Sequence, residues 1–238
     1  MSLSKIGPLL LSAVLVWKAF TPPPSSQTSP TEKVELQHSG IERGVTSSFV
    51  HYHMLVNKIQ YCIVCLCEVV WTVASSFSHH PVVAALSYND DPSSAVRVTP
   101  QFIAGMALIV GGALLRFACF DVMGKHFTFK VLLREEHRLI TAGPYSYVRH
   151  PSYTGLYALF VGCALVLYGD GSWFRESGWL ESQLGRAWVT VWVLMRLFES
   201  VMIGVRTVTE DGFLREKFGD EWAKWAARTQ YRLVPFIF

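Results

Sequence analysis

The chain has 238 residues, 51% hydrophobic and 16% charged, with a mean hydropathy of +0.29, which leaves too few charges for an ordinary soluble surface and points to a membrane. A formal charge of +3 without zinc-finger spacing, an RNP-like aromatic sequence or a basic helix excludes nucleic acid as a partner. The five cysteines, at 62, 65, 67, 119 and 163, are odd in number and all lie in apolar runs, which excludes a disulfide framework. The CIVCLC cluster has no second liganding pair nearby, so packed or lipid-facing thiols are favoured over a metal.

In chain order, the hydrophobic pattern predicts five spans: 6–20, 54–77, 101–120, 153–168 and 187–205. A helix needs about 20 residues to cross the hydrocarbon core, so the first and fourth are short. The first follows Lys5 and has the length of a signal-peptide core, but it runs into TPPPSSQTSP instead of a small-residue cleavage site, which favours a retained transmembrane helix. The fourth begins within PYSYVRHPSYTG, and its Gly155 and Gly162 allow close helix packing and room between helices. The expected fold is all-α, a polytopic integral membrane protein with about five transmembrane helices. It divides into an N-terminal membrane region at 1–100 and a core at 101–238.

The connectors differ in character. Residues 21–50 are rich in Pro, Ser and Thr and 78–99 are rich in turn formers, and neither carries a recognisable site. Residues 121–150 and 206–238 are dense in ionisable and aromatic side chains. If all five stretches span, one side of the membrane holds thirteen Lys and Arg and the other holds four, Lys5, Arg97, Arg175 and Arg186, so the thirteen face the cytosol. The two polar segments then share that face, separated only by the helical hairpin of the last two spans.

In HRLITAGPYSYVRHPSYTG, Gly143 and Pro144 favour a turn and Pro151 disfavours helix at His150, so irregular backbone is expected where the chain meets the membrane. Such backbone is tolerated only beside protein or a wet cavity, which suggests a site at the cytosolic rim. There Arg149 can bind a carboxylate or phosphate, His150 can donate from its ring, and Tyr145, Tyr147 and Tyr153 can stack on a flat ring or attract a cation. Interfacial anchoring explains the same composition equally well. Further on, Arg206 and Glu210 share a helix face with Asp211 beside them, either as a surface ion pair or as a site, since the pair emerges directly from a span. Arg196 and Glu199 raise the same choice inside the fifth span. Phe218, Trp222 and Trp225 recur at helical spacing, as in an amphipathic helix lying on headgroups. No GxGxxG after a strand, Walker motif, HExxH or GxSxG is present, so chemistry falls to membrane helices and their rims.

These motifs, with RxxxEDxxL at 206–214, FGDEW and the closing LVPFIF, resemble the isoprenylcysteine carboxyl methyltransferase family, and more closely its fungal members, over residues 105 to 238. RHPxY followed by an acidic pair is also similar to phospholipid methyltransferases. The resemblance implies S-adenosylmethionine as cofactor, contacted by His137, Arg138, Leu139, Ile140, Tyr145, His150, Pro151, Ser152, Tyr153 and Glu210. It puts the substrate-carboxylate arginine at Arg206 and makes Arg206 and Glu210 the catalytic pair. It further implies prenylated CaaX proteins as substrates, carboxyl methylation of their C-terminal prenylcysteine, and a multi-pass location in the endoplasmic reticulum membrane with the site facing the cytosol. An upstream amide that contacts the cofactor in animal members has no clear counterpart near Lys130. Three alternatives remain open: methylation of a lipid headgroup amine, reduction of a membrane lipid with a nicotinamide cofactor, and a non-catalytic membrane scaffold.

Overall fold

The computed structural model describes residues 3–21, 23, 34–35, 45–77, 81–88, 96–124, 127, 133–134 and 138–236. Its helices are α1 (Ile6–Ala19), α2 (Val45–Ala74), α3 (Pro81–Leu86), α4 (Pro100–Met123), α5 (Pro151–Tyr168), α6 (Trp173–Glu176) and α7 (Gln183–Arg228), with short 3₁₀ turns at Leu3–Lys5, Gly143–Ser146 and Trp179–Glu181. One antiparallel pair, Val34–Glu35 with Leu133–Arg134, is the only strand pairing among the described residues. The protein is thus an all-α polytopic membrane protein, with four stretches among the described residues long and apolar enough to cross a bilayer: Tyr52–Ala74, Pro100–Met123, Pro151–Glu176 and Gln183–Arg228.

The predicted first span forms α1, but its 14 residues are too few for that length criterion. With the preceding 3₁₀ turn it extends about 27 Å, close to the ~30 Å hydrocarbon core. Local sequence accounts for the longer helices. Pro100 and Pro151 stand at the first helical position, where a missing N–H costs nothing and φ is already set. Thr99 Oγ1 accepts from the Phe102 amide at 3.2 Å, and Ser182 Oγ accepts from the Gly185 amide at 2.8 Å, each satisfying an orphan donor at a helix start.

The residues group into two compact units interleaved in sequence, and α1, α2, α4, α5 and α7 each pass through both. The first comprises Met1–Trp17, Asn57–Gly111 and Tyr157–Ser200. Here the fully buried Lys5 meets Glu68 Oε1 at 2.5 Å and donates to the Gly171 carbonyl at 2.9 Å, while Glu68 Oε2 accepts from the Trp173 amide at 3.0 Å. A second buried polar group joins α2 to α7: Arg196 pairs with Glu199 at 2.8 Å, and Asn57 bridges them by accepting from Arg196 at 2.6 Å and donating to Glu199 at 3.1 Å. Arg196 is also stacked 4.7 Å from the Phe160 ring and 5.4 Å from Trp192.

The second unit comprises Lys18–Val56, Gly112–Leu156 and Val201–Phe238. A Cβ added at Gly155 would stand 2.7 Å from the Gly112 carbonyl, so glycine is what lets α5 approach α4 there; in the first unit Gly162 meets the Gly105 carbonyl in the same way, at 2.8 Å. The expectation that these glycines leave room between helices is therefore corrected: the α4 backbone takes the room.

α7 carries the fifth predicted span and the polar RxxxED segment as one uninterrupted helix, because no proline and no helix-terminating turn separates them. It breaks at Gly219, whose φ of 48° and ψ of −116° suit only glycine. FGDEW thus straddles a kink. Phe218 is therefore separated by the kink from Trp222 and Trp225; in the final segment Glu221, Lys224 and Arg228 are exposed as expected, while Trp225 is buried at 3% exposure.

Candidate active site

The backbone before α5 is irregular, as its prolines and glycine predict: a 3₁₀ turn at Gly143–Ser146, then Tyr147 to His150 outside any helix. Held out of the helix by Pro151, the Arg149 and His150 amides need other acceptors. They find them in the C-terminal tail, Arg149 donating to the Tyr231 carbonyl at 2.9 Å and His150 to the Arg232 carbonyl at 2.8 Å.

His150 is buried with a carboxylate at each ring nitrogen. Nδ1 lies 3.4 Å from Glu210 Oε2 and Nε2 lies 3.1 Å from Asp211 Oδ1. Only the imidazolium can donate at both positions. Burial works against that charge, but the hydrogen bonds and charges of Asp211 and Glu210 outweigh it and raise the His150 pKa above its ordinary value.

The two adjacent acids have different surroundings. Asp211 is closed in: besides His150, its Oδ2 receives Arg149 Nε at 3.2 Å and Arg232 Nε at 3.0 Å. Arg149, expected to offer its fork to a ligand, spends it on Asp211 and on the carbonyls of Thr229 and Gln230, at 3.0 and 2.8 Å. Glu210 is 22% exposed, and its Oε1 accepts from the Tyr153 hydroxyl at 2.7 Å and from Arg206 Nε at 2.8 Å. Arg206, 23% exposed, stands 5.9 Å from the Tyr153 ring, and that ring lies 5.9 Å from His150 at an interplanar angle of 28°.

The other sequence-predicted residues divide. Ser152 is buried and accepts from Arg116 Nη1 through its carbonyl at 3.0 Å and its hydroxyl at 3.1 Å, and Pro151 opens α5. Tyr145 lies in a buried cluster with Cys119 and Trp225, against which Leu139, Ile140 and Trp222 pack, and its carbonyl accepts from Trp225 Nε1 at 3.1 Å. Arg138 is exposed, and Tyr147, 76% exposed, is apart from the cluster. His137 lies outside the described residues. Sequence reasoning missed Arg232 and Arg116. Nothing in YRLVPFIF singles out the first, but an arginine inside the apolar run of α4 was a signal for the second.

The cluster suits a ligand that carries a positive centre and a flat ring: a partly open carboxylate for the charge and the Tyr153 ring for stacking or cation contact.

Residues 100–174 match the family described as phospholipid methyltransferase. Over 135 residues the chain is 30% identical to protein-S-isoprenylcysteine O-methyltransferase B of Arabidopsis thaliana, covering 56% of this chain and 58% of that protein. It is 33% identical over 89 residues to the Dictyostelium discoideum protein-S-isoprenylcysteine O-methyltransferase, 33% of this chain and 38% of that one, and 28% identical over 143 residues to the Homo sapiens protein of that name, 59% and 43%. The chain thus spans less than two thirds of the length of these relatives. Residues 100–174 thus match the phospholipid methyltransferase family, within a chain similar over more than half its length to protein-S-isoprenylcysteine O-methyltransferase B of Arabidopsis thaliana.

Proposed function

We propose that the protein transfers a methyl group from S-adenosylmethionine to the C-terminal carboxylate of a prenylated cysteine in CaaX-processed proteins, forming a methyl ester at the cytosolic rim of the endoplasmic reticulum membrane. The observation that carries this reading is the partly open Arg206–Glu210 pair, bonded through Tyr153 and His150 to the block that resembles the methyltransferases. At ~1.5 Å per residue, Arg206 stands about 35 Å along α7 from Gln183, past a ~30 Å hydrocarbon core, which supports a rim location.

His150, Tyr153 and Glu210, with Leu139 and Ile140, would hold the methyl donor, and Glu210 would offset its positive charge. When bound, the donor supplies an electrophilic methyl group on a sulfonium. A prenylcysteine carboxylate, with a reference pKa of about 3.5, is ionised at neutral pH, so no residue has to remove a proton. What the chain must supply is orientation and removal of water. Arg206 uses Nε on Glu210 and has two further nitrogens in its fork to hold the substrate carboxylate side-on, leaving one oxygen to attack. The neutral ester product is held less strongly by Arg206, which helps it leave. The prenyl chain, worth about 0.8 kcal/mol per buried methylene-sized group, would reach the site from the lipid.

A second reading, methylation of a lipid headgroup amine, is favoured by the family match at 100–174. It would have no use for a carboxylate-holding Arg206. Membranes containing the protein are expected to transfer labelled methyl from S-adenosylmethionine to N-acetyl-S-farnesylcysteine as a base-labile ester, and Glu210→Ala to abolish the signal. Label appearing only in phospholipid headgroups would overturn the first reading in favour of the second.

A further inference from the structure

Arg116 sits in the apolar run of α4 and is 1% exposed. A guanidinium buried in a membrane helix is tolerated only where its donors are met. Its Nε donates to the Ala19 carbonyl at 2.8 Å, its Nη1 donates to Ser152 through both oxygens, and its guanidinium carbon stands 5.2 Å from the Phe120 ring. Ala19 ends α1, where carbonyls have no intrahelical partner and a cation is favoured by the helix dipole. Ser152 lies in the first turn of α5, between His150 and Tyr153, two of the side chains that reach Glu210. The packing beside it is tight: a Cβ on Gly155 would stand 2.9 Å from Arg116 Cγ.

We propose that Arg116 is a positioning residue, which holds Ser152 so that the first turn of α5 presents His150 and Tyr153 to Glu210, and which uses the end of α1 as its fixed point. The proposal rests on the methyl-donor reading of that cluster. The planar fork is what the task requires, because Nε and Nη1 hold different partners in fixed directions. A lysine keeps the charge but offers its donors from one point and cannot hold both.

The test is Arg116→Lys in the full chain in lipid nanodiscs, followed by hydrogen–deuterium exchange and steady-state methyl transfer from S-adenosylmethionine to N-acetyl-S-farnesylcysteine. Exchange is expected to rise in peptides covering residues 149–156 and to stay unchanged in those covering 57–72. The KM for S-adenosylmethionine is expected to rise about 10- to 100-fold, the size of effect an ångström-scale misplacement produces, with the KM for the acceptor unmoved. Merely fewer folded molecules would lower the apparent kcat and leave both KM values alone. Unchanged exchange at 149–156, or exchange rising throughout the chain, overturns the proposal. If the parent protein transfers no methyl group, the functional reading fails while the exchange comparison still decides what Arg116 does.

Discussion

α7 carries two arginine–acid pairs with different surroundings. Arg196 and Glu199 are each about 10% exposed, and their contacts include Asn57 and the rings of Phe160 and Trp192. Arg206 and Glu210 are 23% and 22% exposed, and Glu210 is also bonded to Tyr153 and faced by His150. The sequence presents the two pairs almost identically, as an arginine followed by an acid one turn later in an apolar context. Closure separates them. A pair enclosed by an amide and two rings is suited to tying helices together, while a pair with a quarter of its surface open can exchange a partner for a ligand.

The largest expected effect that sharpens this comparison is at the open pair. Arg206→Ala should lower kcat/KM for N-acetyl-S-farnesylcysteine about 100-fold or more, the scale seen when one charge-stabilising donor is removed, with the folded protein retained. Undiminished turnover would remove Arg206 from the carboxylate-holding role.

At the closed pair the effect should fall on stability instead. Arg196→Met takes the guanidinium from beside the buried Glu199, which costs about 3–5 kcal/mol, and thermal unfolding in nanodiscs should show it. Adding Glu199→Leu should recover only part of the loss, since the buried charge is gone but Asn57 loses its bonds to both side chains. Turnover per folded molecule should stay within about threefold of the parent in the double variant. A hundredfold fall there would mean that both pairs serve chemistry and that exposure does not separate them.

The smallest effect is the pH dependence of His150. Its pKa is raised in the folded protein, so its contribution to stability is fully present below the unfolded value of about 6.5 and is lost as pH rises through the folded value. Stability measured across that window should fall with rising pH in the parent, and the slope should flatten in His150→Gln. A parent with no slope there would mean that the imidazolium between Glu210 and Asp211 is not the folded-state form.

Much of the site was legible in the sequence because its signals are local. Gly143, Pro144 and Pro151 specify the irregular entry to α5, and the four-residue spacing of Arg206 and Glu210 puts them on one face of whatever helix contains them. The FGDEW helix was misread for the opposite reason: its periodicity is genuine, but Gly219 breaks it and Trp225 finds Tyr145, a partner 80 residues away in sequence. Arg149 was misread similarly, since its acceptors, Asp211 and the 229–230 carbonyls, come from the far end of the chain.

Composition and periodicity alone determined that this chain is a helical membrane protein, and its motifs determined which residues would be concentrated near the start of α5 and the middle of α7. Only the tertiary structure decided which of two neighbouring acids is enclosed by arginines and which stays open, that glycines at 155 and 162 close a helix contact instead of leaving a gap, and that Arg116 joins α1 to the first turn of α5. The physical reason is common to all three. Burial and hydrogen-bond partnership depend on residues distant in sequence, and no spacing within one segment encodes them.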